Sequence, residues 1–581
     1  MKTKTRRLLS LLNFCVLTLL ACGNSDGAGE DPGVPYLAKK GEPVDGVRIG
    51  WDYGTIRQLA TRGGYPRSIR LQDNTVVAVY ENYDTGYEMR CSTDEGSTWG
   101  DPVILFPIHS ITNDKGTARI NIANSEIIQL ANGDLLAACN YRPQTPEITP
   151  FAIAVRRSTD NGVTWSDPQI IYEAEPRFSD GCWEPSFLQL PNGEVQVYFA
   201  NEGPYTHSNE QEISMMTSVD NGKTWGGYKT VCFRAGSRDG MPVSKVVGDE
   251  IVCVIEDCGF VTFKPYTVRT KLSDNWSSPV LADSPNRAMA LGEPVEDWIY
   301  MGAPYLGVLP TGETLLSYQV DDIRHDDQLG DRLPYSTMEV AIGDKNARNF
   351  VRRTRPFPVP AGKHAVWPSV AVWDANTIAA LATSNYQGGT EAPFFMKGHV
   401  MRDLEVNSSD IVNYPIFIGH TGICNLRLGV GKDADNLYIT CKVKDGELYS
   451  GGQGTQKGSG VFIYLDTKNE CLKEPAEGVY KVWCSYKGDI TVWQGNKGKW
   501  ENSELEGLQI TPSVVSGGYE LAFTIPLNPK ASLILFSMYL VYEKDTMRLC
   551  ATLSTKTYTE TLVHSNADRS CTWMKMNLGG H

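Results

Sequence analysis

Positive charge is in short supply in this 581-residue chain: 54 Lys and Arg face 68 Asp and Glu, a formal net charge of −14. The deficit excludes nucleic acid or an anionic membrane surface as the main partner, because a basic field is needed to hold either. It also counts against a strongly anionic substrate unless a local basic pocket overrides it. Histidine is scarce, with 8 copies, and His364 has no second His or carboxylate at ligand spacing. The 14 cysteines include no paired CxxC spacing and no dense disulfide framework. Neither a metal nor another cofactor is expected. Cys139 and Cys253 alternate with apolar residues and read as small core side chains.

Residues 8–20 are largely apolar, but Lys2, Lys4, Arg6 and Arg7 precede them and Leu19-Leu20-Ala21-Cys22 ends the run. This fits a bacterial lipoprotein signal peptide, 1–22, which is removed rather than kept as a membrane span. The Cys22 thiol would be acylated, anchoring the chain by lipid in the bacterial outer envelope, at the outer membrane and facing outward. An ordinary secretory signal with an incidental cysteine is the alternative. Residues 23–44 read as a tether, rich at first in Gly, Asp and Ser.

Three near-identical passages then recur at almost even spacing, which is a statement about architecture. They are Ser92-Thr93-Asp94-Glu95-Gly96-Ser97-Thr98-Trp99, Ser158-Thr159-Asp160-Asn161-Gly162-Val163-Thr164-Trp165 and Ser218-Val219-Asp220-Asn221-Gly222-Lys223-Thr224-Trp225. Each follows a strand-like run, and Asp or Asn beside Gly supplies a tight turn. They resemble the Asp-box of sialidase-like β-propellers, where the boxes lie on the face away from the active site. Leu272-Ser273-Asp274-Asn275-Trp276 looks like a decayed fourth box, and Ile342-Gly343-Asp344-Lys345-Asn346 stands where a fifth belongs. Six apolar hairpins, 68–81, 125–140, 186–201, 242–256, 305–319 and 369–384, recur roughly sixty residues apart, the length of a four-stranded blade with its loops. The fold class is therefore all-β, with a six-bladed β-propeller over 45–401. Beyond residue 402 the boxes stop and strands follow at shorter intervals, predicting an antiparallel β-sandwich over 402–581. Asn436 to Asp445, Gly460 to Asp466 and Tyr519 to Pro526 resemble family 9-like carbohydrate-binding modules. Trp483, Trp493, Trp500 and Trp573 are candidates there for a sugar-stacking platform, although each one taken singly reads as core.

Propeller geometry brings the starts of first strands and the ends of second strands to one funnel. Two carboxylates qualify, in adjacent blades: Glu184 in Trp183-Glu184-Pro185 and Glu256 in Ile255-Glu256-Asp257. Such a pair suits glycoside hydrolysis, which needs one protonated and one ionised carboxyl group. Proximity pushes their pKa values apart, and Glu184, between Trp183 and Pro185, reads as the protonated member. Rim carboxylates paired with arginines are the bland alternative. With Arg238-Asp239-Gly240-Met241 between them, these motifs resemble the exo-arabinanases of glycoside hydrolase family 93. The resemblance implies a retaining enzyme that releases arabinobiose from α-1,5-linked arabinan, with Glu184 as acid/base and Glu256 as nucleophile. Its partner would be a polysaccharide or oligosaccharide.

Arg67, Arg238 and Asp239 are further candidates for substrate binding, and Tyr305, Trp367, His364 and Glu81 fall near strand ends at the same mouth. Two other functions stay open. A sialidase would need three convergent arginines, of which Arg67 and Arg324 could supply two. A glycan-binding lipoprotein would need no catalyst.

Overall fold

The structure, a computed structural model, describes residues 36–321, 332–360, 362–451, 456–527 and 545–579. The leader, Cys22, the tether before residue 36 and Arg324 lie outside the described residues. Six antiparallel sheets, five of them built from strands consecutive in the chain, form the six blades, and two further sheets form the C-terminal sandwich. The six hairpins read from the sequence are the first two strands of the blades, beginning with Gly64–Arg70 and Val76–Asn82 in blade one. Blade strands pack between neighbours on both faces, so Val76–Asn82 is buried almost throughout and reads as an unbroken apolar run. Sandwich strands bury one face, and Asn436–Asp445 alternates accordingly.

The boxes link third and fourth strands. In the first, the Ser92 hydroxyl accepts the Gly96 N–H at 2.8 Å and donates to Asp94 at 2.8 Å, while Asp94 accepts the Thr98 N–H at 2.9 Å. Asp160 and Asp220 repeat the pattern, and these bonds lower all three carboxyls to about 2. The Asp220 carboxyl owes its shift first to the Thr224 hydroxyl and then to the Thr224 N–H. Each of the next two box glycines packs on the blade before it: a methyl group at Gly162 would touch Met89, and one at Gly222 would touch Leu136. The fourth position keeps the buried tryptophan, with Trp276 donating to the Tyr198 hydroxyl at 2.9 Å. The fifth keeps the aspartate, with Asp344 accepting the Arg348 N–H at 2.9 Å.

Blade six closes the ring and has no box, for a topological reason. Its first three strands, Ala365–Val372, Thr377–Ser384 and Ala392–Met401, are joined by Arg48–Gln58 from the start of the propeller, which pairs with the third. Third and fourth strands are therefore not consecutive in the chain, and no turn joins them.

The sandwich packs a sheet running from Leu404–Glu405 to Lys499–Ser503 on a five-stranded sheet that begins with Ile416–His420. All its described strand pairings are antiparallel except Leu404–Glu405 with Met574–Asn577. It docks on the closing strand. Asp52 accepts the Thr421 N–H at 2.8 Å and its hydroxyl at 2.6 Å, and the buried Arg48 donates to the carbonyls of Val563 and Thr572, both at 3.0 Å. The end of the expected tether is also bound: the Gly41 N–H donates to the Cys471 carbonyl at 2.7 Å and that of Val44 to the Cys571 carbonyl at 2.9 Å.

Candidate active site

Every innermost blade strand carries the same irregularity near its upper end. A β-bulge separates Gly64 from Arg67, Ala123 from Glu126, Trp183 from Ser186, Gly240 from Val243, Gly302 from Tyr305 and Val366 from Ser369. Within each bulge one non-glycine residue is left-handed: Tyr65, Asn124, Glu184, Met241, Ala303 and Trp367, with φ between 49° and 60°. Such a conformation costs about 1–3 kcal/mol and persists only where the surroundings hold it. Here the neighbouring blades do so. The N–H of Tyr65 donates to Thr383 at 2.8 Å, that of Asn124 to Glu81 at 3.2 Å, that of Ala303 to Glu256 at 2.8 Å and that of Trp367 to Gln319 at 2.7 Å. Met241 donates to Glu184 at 2.9 Å instead. The residue at the matching second-strand position in blade three is Ala200, which has no side-chain acceptor to offer.

The bulges point six side chains at the axis. Tyr65, Met241, Ala303 and Trp367 pack together and close the tunnel. Above this floor lies a cavity of about 300 Å³. Glu184 and Glu256 both line it and flank the Gly240–Met241 peptide. Glu184 takes the Met241 N–H, and a methyl group added to Gly240 would sit 3.0 Å from Glu256 Oε1. Gly302 clears the other side, since a methyl there would sit 2.8 Å from Glu256 Oε2.

Burial raises the pKa of both carboxyls, and Glu256 reaches about 8 because the charge of Glu184 adds to its desolvation. Arg142 and Arg238 both favour the charged form of Glu184, whereas Arg238 alone does so for Glu256. The two carboxyls therefore titrate as a pair, in which the charge of one keeps the proton on the other.

Arg238 and Trp367 also line the cavity. Arg238 donates to Glu202 and, at 2.7 Å, to Gln211. Four other candidates do not reach it. Arg67 and Tyr305 follow the bulges and lie one level down the tunnel. There Arg67 stacks 3.9 Å from the Tyr65 ring centre, and its Nε lies 3.7 Å from the Glu126 carboxylate that Tyr305 also meets. Asp239 is wholly buried against Arg287, with one bond of 2.9 Å, in a network that includes Asp257 and Arg234. His364 faces Glu391, 3.2 Å away, at the edge of blade six. None of the four lines this cavity.

Several lining residues escaped the sequence reading: Asn124, Arg142, Glu202, Gln211 and the exposed Phe178. Aligning the six hairpins on their bulges would have found Asn124, which occupies the Glu184 position of blade two. Among the described residues no cluster of three or more His, Cys, Asp or Glu side chains could hold a metal ion. In the sandwich, Trp483 and Trp573 are buried, while the half-buried Trp493 and Trp500 surround Lys481 together with Phe462 and Tyr464.

The family described as BNR repeat-like domain matches residues 55–234 and, overlapping them, 149–307. Both matches lie within the propeller. No curated protein is matched by sequence. Among solved structures, the family 93 α-L-arabinofuranosidase of Fusarium graminearum, in complex with arabinobiose, is similar at 17% identity. The match covers 62% of this chain and 98% of that one, with a TM-score of 0.42. A Trypanosoma rangeli sialidase is similar at 12% identity over 92% and 89% of the two chains, with a TM-score of 0.38. A family 9 carbohydrate-binding module from Caldicellulosiruptor kristjanssonii, in complex with glucose, is similar at 13% over 31% and 96%, with a TM-score of 0.24.

Proposed function

We propose that this BNR-repeat propeller is a retaining, exo-acting glycoside hydrolase that releases arabinobiose or a related short product from α-1,5-linked arabinan or similar pectic side chains. The observation that carries the reading is the half-buried Glu184–Glu256 pair at the bottom of a closed-floored cavity. A blind cavity admits the end of a chain rather than its middle, which favours exo attack. Glu256 attacks the anomeric carbon as Glu184 passes its proton to the departing glycosidic oxygen, leaving a glycosyl ester on Glu256. Glu184, now a carboxylate, takes a proton from water as that water attacks the same carbon, and Glu256 is released. The N–H of Ala303 stays on one Glu256 oxygen, leaving the other for attack.

The charge balance favours a neutral sugar over a sialoside. The cavity is lined by four glutamates, Glu81, Glu184, Glu202 and Glu256, against two arginines, and both arginines are engaged by side chains of the wall. The reading includes a lipid anchor on Cys22, supported by the sequence of the leader; Cys22→Ser should abolish labelling by a palmitate analogue in a bacterial host. The main test is incubation with linear arabinan and sialyl-lactose, with products resolved by chromatography and the first-formed anomer read by NMR. Arabino-oligosaccharide release of unchanged anomeric configuration, absent in Glu184→Gln, is expected. Capture of arabinan without any product over long incubation would instead mark a glycan-binding protein.

A further inference from the structure

The bulges put six second-strand positions at one level around the cavity: Glu81, Asn140, Ala200, Glu256, Gln319 and Thr383, paired with Gly64, Ala123, Trp183, Gly240, Gly302 and Val366. Blades one and four are diametrically opposite in a ring of six, so Glu81 and Glu256 face each other across the axis. Only these two of the six line the cavity. Gln319 and Thr383 serve the floor, each accepting the N–H of one floor residue.

Glu81 is built like its counterpart. One oxygen accepts the Asn124 N–H at 3.2 Å, and the other has no protein donor among the described residues. Beside it, the Asn124 side-chain oxygen accepts from Arg142, which turns the Asn124 amide NH₂ to the cavity. A carboxyl group and an amide side by side match two adjacent sugar hydroxyls. Burial raises the Glu81 carboxyl, and the oxygen without a protein donor offers its lone pairs to a hydroxyl.

We propose that Glu81 and Asn124 form the recognition wall for the released sugar, binding two neighbouring hydroxyls of a neutral glycosyl residue held against Glu184 and Glu256. The inference rests on the glycosidase reading and adds the side of the cavity that selects the sugar. Glu81 is a specificity-determining residue, and its role as an inter-blade tie is the rival explanation.

Aryl α-L-arabinofuranoside and its 2-deoxy and 3-deoxy analogues separate the two. Wild-type protein should prefer the parent over at least one analogue by about 10- to 100-fold in kcat/KM, the worth of a hydrogen bond to a strongly polar group. In Glu81→Ala that preference should collapse towards unity, and the isosteric Glu81→Gln, which keeps the tie to Asn124, should restore part of it. Thr383→Val removes a tie outside the cavity and should leave the preference unchanged. A folded Glu81→Ala or Glu81→Gln protein with the full wild-type preference would overturn the wall. If the wild-type protein cleaves no arabinoside, the glycosidase reading fails separately. Calorimetry with the methyl glycosides of arabinofuranose, xylose, galactose and glucose then tests the wall, which stands if Glu81→Ala loses binding of one of them and falls if no glycoside binds or binding is undiminished.

Discussion

Replacing Glu184 with Gln separates the two carboxylates by role, because only one of them has to part with a proton. Two unit charges at the roughly 5 Å of a retaining pair repel by about 3 kcal/mol at an effective dielectric constant of about 20. That is worth about two pH units. With burial it accounts for the rise of Glu256 from 4.5 to about 8. Proton donation to a poor leaving group contributes about 10²- to 10⁴-fold. Arabino-oligosaccharide cleavage by Glu184→Gln should fall by that factor. A dinitrophenyl arabinoside, whose leaving group departs without a proton, should still glycosylate Glu256 rapidly. Stopped-flow measurement should show a burst of dinitrophenolate, mass spectrometry a glycosylated Glu256, and added azide should restore turnover with unchanged anomeric configuration. Glu256→Gln should show no burst with either substrate. In wild-type protein, natural-substrate activity should decline as pH rises past about 8, where the pair loses its shared proton. A burst that vanishes in Glu184→Gln and survives in Glu256→Gln would refute the assignment.

Glu256 also carries a stability signature. Its folded pKa lies above its unfolded one, so its contribution is full below about pH 4.5 and is lost as pH rises through about 8; denaturant titrations of Glu256→Gln should lack that decline. Gly302→Ala places a methyl 2.8 Å from Glu256 Oε2 and 2.6 Å from the Tyr300 hydroxyl, and should lower kcat by about 10- to 100-fold through misplacement alone, read by steady-state kinetics beside a thermal melt. Asp239→Ala leaves Arg287 short of one buried partner and should cost about 3–5 kcal/mol in chemical denaturation, whereas a substrate-binding role would raise KM at unchanged stability. Asp52→Ala removes both bonds to Thr421 and should split a single calorimetric unfolding peak into separate propeller and sandwich transitions.

The ring is legible in the sequence because blade strands buried on both faces have to be continuous apolar runs, and because the box turns demand Asp and Gly at fixed offsets. The side of a strand end that faces the cavity is not legible in the same way. Position near a strand end assigns Arg67 and Tyr305 to the mouth, but the bulge adds one residue to each inner strand and shifts everything after it to the other face. Glu184 escapes this error because it is itself the bulge residue. Asp239 misleads for a different reason: its partner Arg287 is distant in sequence, and nothing local marks the two as a pair. The docking of the sandwich on Arg48 and Asp52 has no sequence signature, since it depends on surfaces formed only after both domains fold.

The closing strand of blade six has a consequence for the order of events in folding. Arg48–Gln58 is the first propeller strand to be synthesised and the last to find its partner, because Ala392–Met401 must appear before it can pair. Until then the nascent ring has two open sheet edges, which invite pairing with other chains. Such a distant contact closes slowly. The sandwich, made later still, grips Arg48 and Asp52 on that strand. It thus behaves as a latch on a ring that its own position in the chain allows to shut only at the end of synthesis.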